Sequence, residues 1–353
     1  MTLINTRIQN LRAQSNIDKY ELRPSRYGAL DAFLSQSEDP SGILTPELIE
    51  VAERSIGNTL QVPVIDFDGD VTIGSTRSAV ISDDENTSQM VTITFATYAW
   101  GFTMVPALYM NNELSMQRDF NAKFLKYLYK FASVLDEAAV AKLIADCTEV
   151  LEDPLVYGFD DEMLTATFKQ REQLIGDLNP MMASNDFYGQ LHIIGNTGIE
   201  SHIRQLAQQG LYNTENRQLQ YADKVFHFTN RLANGLGAFA TGFAVNEGSL
   251  GLLARFEREV LLNTRARTGH EWSRERLPLI DMEVGTYYYE SVGDYSGIAG
   301  AASADLTRAR KEHYGFAVDV AFMTSYNSDA TAIASPVLRF EVEEPEEEGG
   351  GGG

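Results

Sequence analysis

Asp66, Asp68 and Asp70 in the stretch DFDGD place three carboxylates at alternate positions, and the chemistry open to such a set is binding of a hard cation such as Ca²⁺. An EF-hand loop counted from Asp66 needs glycine at 71 and glutamate at 77, where Val71 and Arg77 stand. The stretch reads as a solvated turn, with a weak ion site of another kind left open. GLGAFA, Gly235 to Ala240, has the glycine spacing of a dinucleotide loop, but that loop must follow a strand directly, and TNRLAN intervenes. A flexible glycine-rich turn is the reading that remains. The histidines at 192, 202, 227, 270 and 313 show no pair at the spacing of a local metal site, and HEWSR puts Arg274 where a zincin helix needs its second histidine. There is no G-x-S-x-G elbow, and Cys147 falls on an apolar helical stripe, where a buried, inert thiol is expected. These patterns predict no catalytic residue, no cofactor and no metal ligand set, although a site assembled from distant residues leaves no such local trace.

The elements that would position any site follow from composition and period. Lys and Arg total 28 against 50 Asp and Glu, a formal net charge of -22 over 353 residues, so the average surface repels nucleic-acid phosphates. One cysteine cannot form an internal disulfide, and MTLINTRIQNLRAQSN lacks the apolar core of a signal peptide, which together predict a reducing cytoplasmic setting. The uncharged run MVTITFATYAWGFTMVPALYM, Met90 to Met110, is long enough to span a bilayer as a helix. Its four threonines, Pro106 and the alternation of Val91, Ile93 and Phe95 with Thr92, Thr94 and Ala96 predict strand instead. On that strand Tyr98, Trp100 and Phe102 share one face, an apolar patch of the kind that marks an interaction site.

Before this run, residues 1–26 are polar and locally basic, with Arg7, Arg12, Lys19, Arg23 and Arg26 against Asp18 and Glu21, and are expected to form an extended arm. TPELIEVAERSIGN predicts a short helix capped by Thr45, with Pro46 in its first turn and Gly57 at its end. Leu60 to Ser82 reads as strands broken by turns, which with Met90–Met110 makes a two-stranded antiparallel excursion that needs something to lie on. Phe120, Phe124, Leu128, Phe131, Leu135, Ala139, Leu143, Cys147 and Val150 then draw one stripe along a long helix over 119–153, capped by Asp119 and closed by Asp153-Pro154. Beyond it, ATFKQREQLIGDL, GNTGIESHIRQLAQQGL and GSLGLLARFEREVLLNTRAR read as helices. KVFHFTNRLA, AFATGFAV, VGTYYYESVGDY, HYGFAVDVAFMTSY and ASPVLRFEV read as strands, ahead of an acidic, glycine-rich tail at 343–353.

This order of elements, from about Ile4 to Val342, resembles the major capsid proteins of tailed bacteriophages of the Hong Kong 97 type, and the words SIGNTLQVPVID, FTMVPALYMNNELS and LDEAAVAKL resemble those of phages infecting Bacteroidetes. LPLIDMEVGTYYYESVGDYSG and RKEHYGFAVDVAFM resemble the strand leaving the family's axial domain and the strand returning to its peripheral domain. The resemblance implies an α+β fold with an N-terminal arm at 1–58 and an extended loop at 59–118. It also implies a peripheral domain at 119–184 and 313–342 with its spine helix at 119–153, and an axial domain at 185–312. It implies a subunit that assembles with itself as hexamers and pentamers into an icosahedral virion shell enclosing double-stranded DNA, built in the host cytoplasm. Portal, scaffolding and decoration proteins are the implied partners, and no membrane is involved. Arg7, Arg12, Arg23, Arg26, Tyr98, Trp100 and Phe102 are then the expected inter-subunit contacts. Lys123, Lys126, Lys130, Asn111 and Asn112 offer the residue types of the family's covalent crosslink, but no local pattern selects a pair and none is expected. Rival readings are an encapsulin-type compartment of the same fold, an intracellular enzyme with a dispersed site, and a surface-layer or tail-tube protein.

Overall fold

The computed structural model describes residues 3–13, 27–37, 42–55, 57–64, 89–109, 113–209, 224–256, 270–278, 280, 282–293, 309–325 and 334–345. Three helices come first, α1 (Leu3–Ala13), α2 (Gly28–Ser37) and α3 (Pro46–Arg54). They are followed by β1 (Thr59–Val64), β2 (Gln89–Thr94), β3 (Ala96–Met104), a 3₁₀ turn (Pro106–Tyr109) and α4 (Glu113–Ala145). Next come β4 (Gly158–Asp160), β5 (Met163–Ala166), α5 (Arg171–Ser184), β6 (Leu191–Gly195), α6 (Thr197–Gln209), β7 (Lys224–Phe228) and β8 (Ala238–Asn246). The last strands are β9 (Leu250–Arg255), β10 (His270–Arg276), β11 (Glu283–Gly293), β12 (Ala309–Thr324) and β13 (Val337–Glu343). Among the described residues no helix is long and apolar enough to cross a membrane.

Among the described residues the strands form three sheets: β1 and β2 pair only with each other, a five-stranded sheet runs β10-β11-β12-β3 with β9 also on β12, and a six-stranded sheet runs β4-β5-β13-β8-β6-β7. β12 is 16 residues long, roughly 50 Å at strand rise. One edge of β12 takes β3, and Asp319 pairs with Thr97 of β3 and Arg255 of β9 at once, so β9 must lie on the opposite edge, in line with β11. Along β12 every second residue from Glu312 to Val320 is buried, the period of a strand with one covered face. What covers it is α4, whose 33 residues bury Phe120, Phe124, Leu128, Phe131, Leu135, Ala139 and Leu143 in the same core as Tyr314, Phe316 and Val318. A second core joins α5 and α6 to β5, β6, β8 and β13 through Leu174, Leu178, Ile199, Ile193, Ala244 and Phe340.

Helix α2 joins the two halves. Its Ala29, Leu30 and Phe33 belong to the core around α4. Its first turn is tied by Asp136 of α4, which accepts from Leu30 N–H at 2.9 Å and from the Thr229 hydroxyl just after β7. Burial pushes the Asp136 carboxyl up, against these hydrogen bonds, which hold it down. Asp31, also in that turn, accepts from His227 of β7, whose other ring nitrogen meets His192 of β6 at 3.0 Å.

Several expectations are corrected. The arm is not extended: Ile4, Ile8 and Leu11, at helical spacing, seat α1 in the subunit's own core, and α2 and α3 complete the N-terminal region. Thr45 and Pro46 start α3 as the sequence indicates, with Thr45 Oγ1 accepting from Leu48 N–H at 3.3 Å, but the helix stops at Arg54 rather than at Gly57. The long helix begins before Asp119 and ends at Ala145, because Thr148 N–H is taken by Val337 O of β13 at 2.8 Å. Asp119 is therefore no cap, and pairs with Lys123 one turn on at 2.7 Å. GSLGLLARF is strand β9, not helix, with Leu250, Gly251, Leu252 and Leu253 buried against β12 and α2. β10 and β11 pair in the five-stranded sheet with β12, and β13 lies within the six-stranded sheet between β5 and β8.

Candidate assembly surfaces

The uncharged run Met90–Met110 divides at Phe95, which lies between β2 and β3. β2 leaves the subunit's sheets to pair with β1 from Thr94↔Thr59 to Gln89↔Val64, and β3 enters the five-stranded sheet on β12. Alternation puts Tyr98, Trp100 and Phe102 on the face toward α4 and leaves Thr97, Ala99, Gly101 and Thr103 exposed. The three rings are thus half-buried against α4 and β12. Trp100 stacks on Phe316 at 3.9 Å and lies 5.5 Å from Phe124. Phe102 stacks on Tyr314 at 5.5 Å, and Tyr98 meets Phe131 edge-on at 6.5 Å. Burial raises the pKa of the Tyr98 phenol. Gly101 is required here, since a Cβ would stand 2.7 Å from the carbonyl oxygen of Tyr314 on the neighbouring strand.

Arg7 is likewise turned inward. It is 7 % exposed, lies 3.7 Å from Glu312, donates to Gln117 at 3.4 Å and lies 5.9 and 6.0 Å from the ring centres of Phe120 and Tyr314. A buried guanidinium of this kind fixes α1 against β12 and α4, and removing Glu312 would leave the Arg7 charge buried without its carboxylate, whereas Glu312 also meets Arg310 at 3.3 Å. Arg12 is the half-exposed basic residue of α1; it donates to Arg276 O and stands 3.6 Å from Glu275. Burial, followed by repulsion from Glu283, raises the Glu275 carboxyl, while Arg12 lowers it. Arg23 and Arg26 lie outside the described residues, as do Asp66, Asp68, Asp70, Asn111 and Asn112.

The opposite face of the five-stranded sheet carries a second row of rings, which the sequence reading passed over. Across it His313, Tyr289, His270 and Trp272 stack in series, at 4.3, 5.5 and 6.2 Å between successive rings. Tyr289 is exposed at the middle of this row, and His313 is held by the hydroxyls of Thr103 and Ser291 at 3.0 and 2.7 Å. The signal was present in the alternation of GTYYYES, which puts Tyr287 and Tyr289 on the face away from Tyr288. On the six-stranded half, Leu155, Val156, Tyr188 and Leu236 are the exposed large apolar side chains.

The remaining candidates for chemistry are held in structural roles. Cys147 is buried just past α4, donates to Ile144 O at 3.2 Å, and has its pKa pushed up to about 11 by burial first and by Glu162 second. That keeps the thiol protonated and unreactive. Gly237, at φ +82°, forms a turn that leads into strand β8, not into the helix a dinucleotide loop requires. HEWSR lies in strand β10, and no group of three or more metal-binding side chains occurs among the described residues.

The β1–β2 ribbon is anchored to the rest of the fold at its root. Leu60, Ile93 and Phe95 join Leu44, Ala52, Leu253 and Ala321 in a small core at the ribbon's root, while Thr59, Gln61, Thr92 and Thr94 face outward.

No family model and no curated protein matches the chain. Among solved structures it is similar to one described as "Mycobacterium phage Che8", at 9 % identity and a TM-score of 0.45 over 84 % of this chain and 88 % of that one. It is also similar to "Cyanophage Pam1 capsid asymmetric unit", at 10 % identity and a TM-score of 0.43 over 84 % and 87 % of the two chains. A third is "Capsid of empty GTA particle computed with C5 symmetry", at 9 % identity and a TM-score of 0.44 over 82 % and 93 %.

Proposed function

We propose that this chain is a major capsid protein of the Hong Kong 97 type, a structural subunit that assembles with itself as hexamers and pentamers into an icosahedral shell around double-stranded phage DNA. The observation that carries the reading is the β1–β2 ribbon. Among the described residues its two strands pair with no third strand, and a two-stranded ribbon gains little stability in water until its faces lie on something else. In a subunit built to tile, that support is another copy. The order of elements around the ribbon, with N-terminal helices before it and a 33-residue helix laid along the longest strand after it, agrees with the family resemblance of the sequence. A net charge of -22 suits a container that must hold nucleic acid without gripping it. Arg12, with Arg23 and Arg26, is the proposed basic contact of the N-terminal region; Arg7, Tyr98, Trp100 and Phe102 serve the subunit's own fold. Portal, scaffolding and decoration proteins are the proposed partners in the virion, with assembly in the host cytoplasm.

The test is electron microscopy of the purified full-length chain. Closed polyhedral shells are expected, with nucleic acid copurifying when the packaging partners are present. Tubes, flat sheets or a stable monomer overturn the reading.

A further inference from the structure

A single buried guanidinium stands at the point where the chain enters and leaves the ribbon. Arg255, the last residue of β9, is 5 % exposed. Its Nε–H donates to Asp319 Oδ2 at 3.0 Å, and its Nη1 donates to Ser55 Oγ at 2.8 Å and to the carbonyl oxygens of Gly57 and Ser55 at 2.6 and 3.4 Å. Those acceptors lie on the link from α3 into β1. The guanidinium also lies 4.2 Å from the ring centre of Phe95, the residue between β2 and β3. Phe95 N–H in turn donates to Asn58 O at 2.8 Å, closing the two legs on each other. Asp319, the anchor in β12, takes a second hydrogen bond from Thr97 of β3 at 2.6 Å.

We infer that Arg255 is the positioning residue that fixes the direction in which the ribbon leaves the subunit. The root's apolar contacts are non-directional and would tolerate a swing of the ribbon. A planar fork bound to two carbonyls, a hydroxyl and a carboxylate, and stacked on an aromatic ring, allows one geometry. Arg255 belongs to the main sheet through β9, so the ribbon's angle is referred to the long strand β12. The clamp is read from the subunit alone, and its consequence for assembly rests on the shell reading proposed above.

The test compares Arg255→Met and Arg255→Lys in the full-length chain by hydrogen exchange of the unassembled subunit. Both should lower protection of the amides of 59–62, 64 and 89–94 by about ten-fold or more while α4 and β11 keep wild-type protection. Lysine should not rescue, because one ammonium cannot reach Asp319 and the 55–57 carbonyls together and does not stack on Phe95 as a planar group. Unchanged ribbon protection, rescue by lysine, or an equal loss in α4 and β11 overturns the assignment. Should Arg255→Met not fold, Phe95→Leu decides the matter: it keeps the apolar volume but removes the ring, and a loss confined to the ribbon supports the clamp, whereas wild-type protection refutes it. If wild-type chains form no shells, the shell reading fails while the exchange result still stands or falls by itself. If they do, Arg255→Met should give few or misshapen ones, and normal shells at wild-type yield would overturn the clamp's role in assembly.

Discussion

Trp100→Ala separates a residue that builds the subunit from one that joins subunits. Trp100 is half-buried between β12 and α4, so about 120 Å² of mostly apolar surface is at stake, or about 3 kcal/mol at 25 cal/mol per Å². The stacked contact with Phe316 at 3.9 Å adds roughly 0.5–1.5 kcal/mol, and partial collapse of the site returns some of it. A net loss of about 3 kcal/mol is a large share of the roughly 5–15 kcal/mol by which folded domains are stable. Urea unfolding of the unassembled subunit, followed by far-ultraviolet circular dichroism, should show the midpoint fall by about 1 M. Leu114→Ala, at a side chain 73 % exposed on α4, should stay within about 0.5 kcal/mol of wild type. Trp100→Asp should be worse than alanine, since it puts a charge against Phe124 and Phe316. If Trp100→Ala and Leu114→Ala unfold alike and only assembly suffers, the inward reading of this face is refuted.

Two further outcomes follow from the same packing. Deleting residues 1–13 removes Ile4, Ile8 and Leu11 from the core and leaves Glu312 without Arg7, so the truncated chain should fall in soluble yield and urea midpoint before any assembly step; a stably folded truncation that merely assembles poorly would contradict this. His202 is buried with Nε2 3.0 Å from Arg171 O and with Nδ1 unpartnered, and its pKa is lowered chiefly by burial. The folded state therefore resists a proton that the unfolded chain accepts. This contribution to stability is present above the ordinary histidine range and is lost as pH falls through that range toward the depressed value. His202→Gln should flatten the decline of the urea midpoint between about pH 7 and pH 5, and an unchanged slope would count against it.

Period was legible in this sequence where one face of an element is covered. The stripe from Phe120 to Leu143, the alternation along β12 and the cap at Thr45 all stand where the residues place them. What covers a face is another matter. The alternation of Tyr98, Trp100 and Phe102 says that they point the same way, but it took the fold to supply α4 as their partner. Leu250, Gly251, Leu252 and Leu253 form a short apolar run that suits a buried strand as well as a helix, and only pairing with β12 decides it. In α1 the spacing of Ile4, Ile8 and Leu11 was readable but was outweighed by the polar composition around it. Arg255 was hidden for a different reason: Ser55, Phe95 and Asp319 come from distant segments, and nothing local marks them as one cluster.

The positions of β12 and β13 bear on how the chain can be made. Each is the strand on which its sheet depends, β12 carrying β3, β9 and β11, and β13 joining β5 to β8. Yet among the described residues they are the last two strands in chain order. During synthesis β3, β5, β8 and β11 all leave the ribosome before the strand that pairs with them, and each waits with a bare edge of the kind that templates aggregation. Neither sheet can close until β12 and β13 have been made, and a chain interrupted before them is a client for chaperones and proteases.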